Sequence, residues 1–220
     1  MAEVTKRLLA IYQKLNEHFG GLNWWPGETP FEVAVGAILT QNTNWKNVEQ
    51  AIAQLKGAGL LTAERLFHEK AEVVAELIRP SGYYNIKTKR LKSFLKFLYD
   101  EYNGSMEEMF REELWSLRER LLGVQGIGEE TADSILLYAG NKAIFVVDAY
   151  TRRILERARL IDNNTTYGHI QRMFMENLPR DGKLYNQYHA LLVHTGKHYC
   201  KKVPKCHKCP LRPCNDNEIP

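Results

Sequence analysis

Apolar residues recur at helical spacing along almost the whole chain. Val4, Leu8, Ile11 and Leu15 form the first stripe. Thr29-Pro30-Phe31-Glu32 is a capping box with proline at the first helical position. It opens a run to about Thr40 that is apolar on every side, the pattern of a central, buried helix. Trp45, Val48, Ile52 and Leu55 mark the next amphipathic helix, and shorter helices follow near 62–68 and 71–79. Ile86 to Tyr102 is long and amphipathic, with Leu91, Phe94, Leu95 and Leu98 inward. Ser105-x-x-Glu108 is a second capping box, and Leu114, Leu117 and Leu121 lead into a glycine-rich turn. An apolar helical run resumes at Thr131, with Gly140 placed to end it. Helices near 149–160, 166–177 and 183–197 complete the chain. Ala143 to Val147 is locally strand-like, but nothing else reads as a strand to pair with it, so it is expected to be an extended, buried connection. The pattern predicts an all-α fold, with no internal repeat, low-complexity segment or flexible linker.

At 220 residues the chain makes one large domain or two small lobes, enough to bury a sizeable core. Its 44% hydrophobic and 25% charged residues are ordinary for a globular protein. No run approaches a membrane span and the N-terminus has no signal-peptide core, so a cytosolic, nucleoid-associated protein with no membrane partner is expected. The net charge of +4 says little, but its distribution says more. Between Glu76 and Asp100 no acid interrupts Arg79, Lys87, Lys89, Arg90, Lys92 and Lys96. Between Asp181 and Asp216 none interrupts Lys183, Lys197, Lys201, Lys202, Lys205, Lys208 and Arg212. Two such patches suit a phosphate backbone, and equally suit two solvated faces.

All four cysteines, Cys200, Cys206, Cys209 and Cys214, lie near the C-terminus at intervening spacings of five, two and four residues. Disulfides are open to them, but clustered cysteines in a cytosolic chain more often bind metal. Four thiolates suit tetrahedral zinc or an iron–sulfur cluster, and spacing alone does not choose.

The glycine-rich turn carries Gly123, Gly126 and Gly128 immediately before a helix. Glycine permits close backbone approach, and helix N-terminal amides attract anions, so a phosphate fits there. A bare Gly-x-Gly is more often a plain turn between helices. The match is longer than that, however. Gly126-Ile-Gly128-x-x-Thr131-Ala-Asp133, an apolar helix, a β-branched run and then Val147-Asp148 resembles the helix-hairpin-helix, Gly/Pro-Asp signature of the endonuclease III family of DNA glycosylases.

That resemblance, from about residue 20 to Cys214, implies two helical lobes. One would be a barrel of residues 22–135. The other would join residues 1–21 to 136–220 and carry the cysteine loop, with double-stranded DNA containing a damaged base bound across the cleft and the protein acting as a monomer. It implies that Asp148 is the catalytic carboxylate, that Gly126, Gly128 and Thr131 grip DNA, and that the cysteines hold a [4Fe-4S] cluster rather than zinc. The two outer cysteine intervals are each one residue shorter than the family's. Gln41, within Gln41-Asn42-Thr43, would fill the space left by a flipped base, and Tyr83, within Gly82-Tyr83-Tyr84-Asn85, would wedge beside the opposite base. Where bifunctional members carry a Schiff-base lysine, this chain has Glu130, which implies a monofunctional enzyme using water. Trp24-Trp25-Pro26 together with Trp45 resembles the 3-methyladenine glycosylase branch, in which aromatic faces stack on the flipped base. Alkylated purines are therefore the expected substrate, and a cationic methylated purine suits an indole face. Two other readings stand beside it: a glycosylase for oxidised pyrimidines or mismatched bases, and a non-catalytic DNA-binding module with a zinc knuckle. Asp148 in a cleft favours an enzyme; a buried or salt-bridged Asp148 favours the module.

Overall fold

A computed structural model describes residues 2–22 and 24–212. The described chain is all-α, without a strand, as the periodicity predicts. It forms two compact units, each described by itself.

The central unit is Trp25–Lys142. Its helices are α2 (Pro30–Leu39), α3 (Trp45–Gly57), α4 (Ala63–His68), α5 (Ala71–Leu77), α6 (Tyr84–Tyr102), α7 (Met106–Arg111), α8 (Leu114–Leu122) and α9 (Glu129–Ser134), the last continued by one π-helical turn, Ile135–Ala139. Helix α2 is its core: every residue from Phe31 to Leu39 is buried. Each fully buried aliphatic side chain there is worth about 1.5–3 kcal/mol. Thr29 Oγ1 caps the helix by accepting from the Glu32 amide at 3.1 Å. The reciprocal bond of the box shifts one residue upstream, because the Glu32 carboxylate accepts from the Glu28 amide and pairs with Lys56 at 3.0 Å. In the second box only half is made: Ser105 accepts from the Glu108 amide, while the Glu108 side chain turns to Arg111.

Helix α6 starts at Tyr84, earlier than the periodicity suggested. Tyr83, with φ 47°, turns the chain left-handed just before it, and Ile86 is left on the exposed side. Helix α5 stops at Leu77 and a 3-10 turn, Arg79–Ser81, follows, since Pro80 cannot donate to a helical ladder.

The other unit is Met1–Trp24 with Ala143–Pro220. It holds α1 (Ala2–Phe19), α10 (Ala149–Arg157), α11 (Tyr167–Asn177) and α12 (Gly182–His198), with α12 packed on both α1 and α10. Ile144 to Val147 is buried, in neither helix nor strand, and has no partner strand among the described residues. Side chains satisfy its backbone instead: Gln171 donates to the Phe145 carbonyl at 2.7 Å and the Val147 amide donates to the Tyr167 hydroxyl at 3.3 Å. The boundary expected at residue 135 falls inside the central unit, because the π turn that follows packs against α2.

Candidate functional site

Within the central unit the hairpin joins α8 to α9. Gly126 has φ +88°, and a Cβ there would stand 2.3 Å from Arg90 Cγ, so both backbone and packing demand glycine. Gly128 differs. Its backbone is extended, a Cβ would meet nothing within 4 Å, and it serves as the N-cap of α9. Nothing in the fold itself requires glycine at 128.

Gln41 is bound to this hairpin. Its Nε2 donates to the Gly126 carbonyl at 3.0 Å and to Thr131 Oγ1 at 2.9 Å, and its Oε1 accepts from Arg90. Thr131 is buried beneath it. One side chain thus ties together three of the positions expected to meet DNA. Sequence reading missed the pair that braces the hairpin from inside: Asp133, fully buried, accepts from Arg118 Nε at 2.7 Å and Nη2 at 3.1 Å. This paired geometry is the strong form of a carboxylate–guanidinium contact.

Tyr83 is 67% exposed and left-handed, a conformation unusual for a bulky residue. Trp25 is likewise left-handed at φ 62° and lies in an aromatic cluster. It stacks on Tyr138 at 4.7 Å between centroids and 14° between planes, and meets Trp45 edge-on at 5.2 Å and 64°. Trp25 Nε1 is buried with no hydrogen-bond partner among the described residues, whereas Trp45 Nε1 donates to Glu49 at 2.8 Å. Because Trp25 and Trp45 touch, no base fits between them in this arrangement, and the Trp25–Trp45 form of the expected sandwich is not preformed. Tyr138, which no local pattern singled out, is the ring stacked on Trp25. It sits on the π turn, a widening of the helix that recurs at functional sites. Pro26 is exposed beside the cluster, and Trp24 falls in the other unit.

The first basic patch is not what its charges suggested. Lys87 is 1% exposed and donates to the Leu39 carbonyl at 2.8 Å and the Ser81 carbonyl at 2.6 Å. Burial first, and then the neighbouring Arg90, lowers its amine to about 8. Lys92 donates to the carbonyls of Leu66, Phe67 and Glu69, while Arg79 and Lys96 pair with Glu76 and Asp100. Lys87 and Lys92 cap helix ends and Arg79 and Lys96 neutralise neighbours, while Arg79, Lys89 and Lys96 remain exposed. The second patch does face solvent: Lys183, Lys197, Lys201, Lys202, Lys205, Lys208 and Arg212 are all exposed.

In the other unit, Asp148 ends the buried 144–147 segment and caps α10. Its Oδ1 accepts from the Thr151 amide at 2.7 Å and lies 3.7 Å from His189 Nε2. Its side chain is only 12% exposed. Burial on its own would raise this carboxyl; the contact and charge of His189 and the hydrogen bond from Thr151 outweigh it and hold the group below its ordinary value. Trp24 meets the His189 ring edge-on at 6.4 Å. His189, far from Asp148 in sequence, carries no local signal that could have marked it.

Cys200 is buried, Cys206 exposed and Cys209 between the two, and Cys214 lies outside the described residues. Among the described residues no three metal-binding side chains converge. The donor set still suits a thiolate-bound group. Arg157 Nη1 donates to Cys200 Sγ at 3.1 Å, and a 3-10 turn brings Cys206 and Cys209 close along the chain.

A family model described as "HhH-GPD superfamily base excision DNA repair protein" matches residues 35–180. The chain is 48% identical over 204 residues to a Methanocaldococcus jannaschii protein named "Putative DNA repair glycosylase", covering 92% of each. Among solved structures it resembles the Helicobacter pylori 3-methyladenine DNA glycosylase bound to 1,N6-ethenoadenine, with a TM-score of 0.76 and 29% identity over 88% of this chain and 97% of that one. It shares the fold of a non-covalent endonuclease III–DNA complex, with a TM-score of 0.81 and 20% identity over 94% and 92% of the two chains. Hairpin, buried connection and helix-capping aspartate all lie within the matched span, and the chain belongs to the HhH-GPD superfamily of base excision DNA repair proteins, as an endonuclease III-like DNA glycosylase.

Proposed function

We propose that this DNA glycosylase hydrolytically excises N-alkylated purines, acts as a monomer on double-stranded DNA and has no lyase step. The observation that carries the substrate reading is the Trp25–Tyr138–Trp45 cluster. A 3-methylated adenine is cationic and meets the negative face of an aromatic ring. The buried Trp25 N–H supplies one donor for a purine acceptor. The 29% identical relative solved with an adenine derivative supports the same class.

Breaking the N-glycosidic bond develops positive charge on the sugar. Asp148, its Oδ1 fixed by the Thr151 amide, stabilises that charge and orients water. A methylated purine already leaves as a neutral base, so no strong general acid is needed. Glu130 cannot form a Schiff base, and Lys87 is engaged by two carbonyls. The hairpin amides at Gly126 and Gly128 hold one phosphate, the exposed C-terminal cations add affinity, Tyr83 wedges into the stack, and Gln41 fills the vacated space after releasing Arg90. Cys200, Cys206, Cys209 and Cys214 would hold a [4Fe-4S] cluster, which would supply a covalent tie for the C-terminal loop.

The burial of Asp148 and its contact with His189 match the criterion set for a non-catalytic module. Family membership weighs against that reading, and so does the physics: a carboxylate kept ionised in a dry site needs a partner. The test is base release from methylated DNA set beside thymine-glycol and uracil duplexes. Alkylpurines should be released preferentially. Trp45→Ala should cost roughly thirtyfold on them, corresponding to about 2 kcal/mol for a desolvated cation–π contact, while Trp45→Phe stays mild. Release of a neutral pyrimidine with none of 3-methyladenine rejects the substrate class.

A further inference from the structure

We infer that His189 is the positioning residue of the site: its Nε2–H donates to the Asp148 carboxylate and holds it oriented and ionised for base excision. This rests on the proposed catalytic role of Asp148. His189 is buried on α12 and Asp148 is largely enclosed at the head of α10, two helices that pack on each other. Asp148 Oδ1 stands between the Thr151 amide at 2.7 Å and His189 Nε2 at 3.7 Å. The longer distance exceeds a normal hydrogen bond, and such contacts tighten when substrate completes a site. The His189 ring is held by edge contacts with Trp24 and Phe145, each at 6.4 Å, so it stays aimed at the carboxylate. Donation from Nε2 requires the proton to sit on that nitrogen, in the Nε2–H tautomer or the imidazolium.

Several other polar groups of the packed elements have partners of their own. On α10, Arg152 donates to the Thr165 carbonyl, and Arg153 to the carbonyls of Cys200 and Gly196. On α12 the Tyr188 hydroxyl donates to the Leu8 carbonyl, and on α11 the Tyr167 hydroxyl accepts from Val147. Tyr185, on α12, is buried and its hydroxyl has no hydrogen-bond partner among the described residues. Among the described residues His189 is therefore the basic side chain within reach of Asp148. Without it, only Thr151 opposes burial, and the carboxyl must shift upward.

The experiment is a carboxyl-carbon NMR titration of the full chain, with the Asp148 signal assigned by its loss in Asp148→Asn. Single-turnover excision against pH is measured on the same samples with methylated DNA. His189→Leu, or His189→Phe should the leucine variant not fold, is expected to raise the Asp148 midpoint by about one pH unit or more. The acid limb of excision should move with it, so that rate on that limb falls about tenfold per unit. His189→Gln, whose amide still donates but carries no charge, should fall between the wild type and His189→Leu. An unmoved Asp148 midpoint overturns the inference, as does a moved midpoint with an unmoved acid limb. If Asp148→Asn itself retains excision, the catalytic reading of Asp148 fails, while the titration still reports whether the two side chains are coupled.

Discussion

Asp148→Asn separates the chemical role of this residue from its structural one. Asparagine caps a helix about as well as aspartate, and its Oδ1 can still accept from the Thr151 amide now bonded at 2.7 Å. Helix α10 should therefore persist. What disappears is one negative charge in a largely buried site. A unit charge about 4 Å from a cationic sugar, at an effective dielectric of about 20, is worth about 4 kcal/mol. At about 1.36 kcal/mol per factor of ten, the excision step should slow by roughly three powers of ten. Asp148→Ala is the control, because it loses the charge and also the cap. It should match the asparagine variant in rate but unfold about 1 kcal/mol more easily. The assay is single-turnover base release with enzyme in excess, with DNA affinity and urea denaturation measured on the same variants. Affinity for the lesion duplex should change little. Excision by Asp148→Asn within tenfold of the wild type would refute the reasoning and place the essential carboxylate elsewhere. The sign of the pH effect on stability is also set. Asp148 titrates below its ordinary value in the folded chain, so its stabilisation is present above about pH 4, the unfolded carboxyl value, and is lost as pH falls through the folded value. That loss should be absent in Asp148→Asn.

Two further predictions follow from the proposed chemistry. Borohydride should trap no protein–DNA adduct during turnover, because Glu130 stands where an amine is needed and Lys87 is buried against two carbonyls; efficient trapping would contradict the monofunctional reading. Anaerobically purified protein should be brown with about four irons per chain, and Cys206→Ala should abolish the visible band, whereas a colourless protein with stoichiometric zinc would sink the cluster assignment.

Short-range features of the fold were legible in the residue pattern. Periodicity gave α2 as an all-round buried helix, because residues that are apolar at every position leave no solvent face. The Thr29 and Ser105 caps were readable because a cap is a bond between residues three apart. The unpaired Ile144–Val147 segment was readable in outline, since no other strand existed to join it. The glycine turn and the Val147-Asp148 step were visible as a signature whose order along the chain is fixed.

Tertiary packing decided the rest, because charge and ring geometry depend on neighbours distant in sequence. Lys87 and Lys92 count as a basic patch on paper, yet the fold spends them on the carbonyls of other helices. Gly126 and Gly128 look equivalent in the motif; only the approach of Arg90 and the sign of φ separate them. Trp25 and Trp45 read as two walls of a pocket, but they touch, and the stacked partner of Trp25 is Tyr138, carried round by a π turn that no propensity encodes. His189 reaches Asp148 only because α12 packs on α10. Sequence alone thus fixed the helices and the order of the chemical groups, since those follow from local backbone bonding and burial pattern. Which groups meet, and which of them remain charged, was set by long-range packing, where a few ångströms of approach outweigh any residue's intrinsic preference.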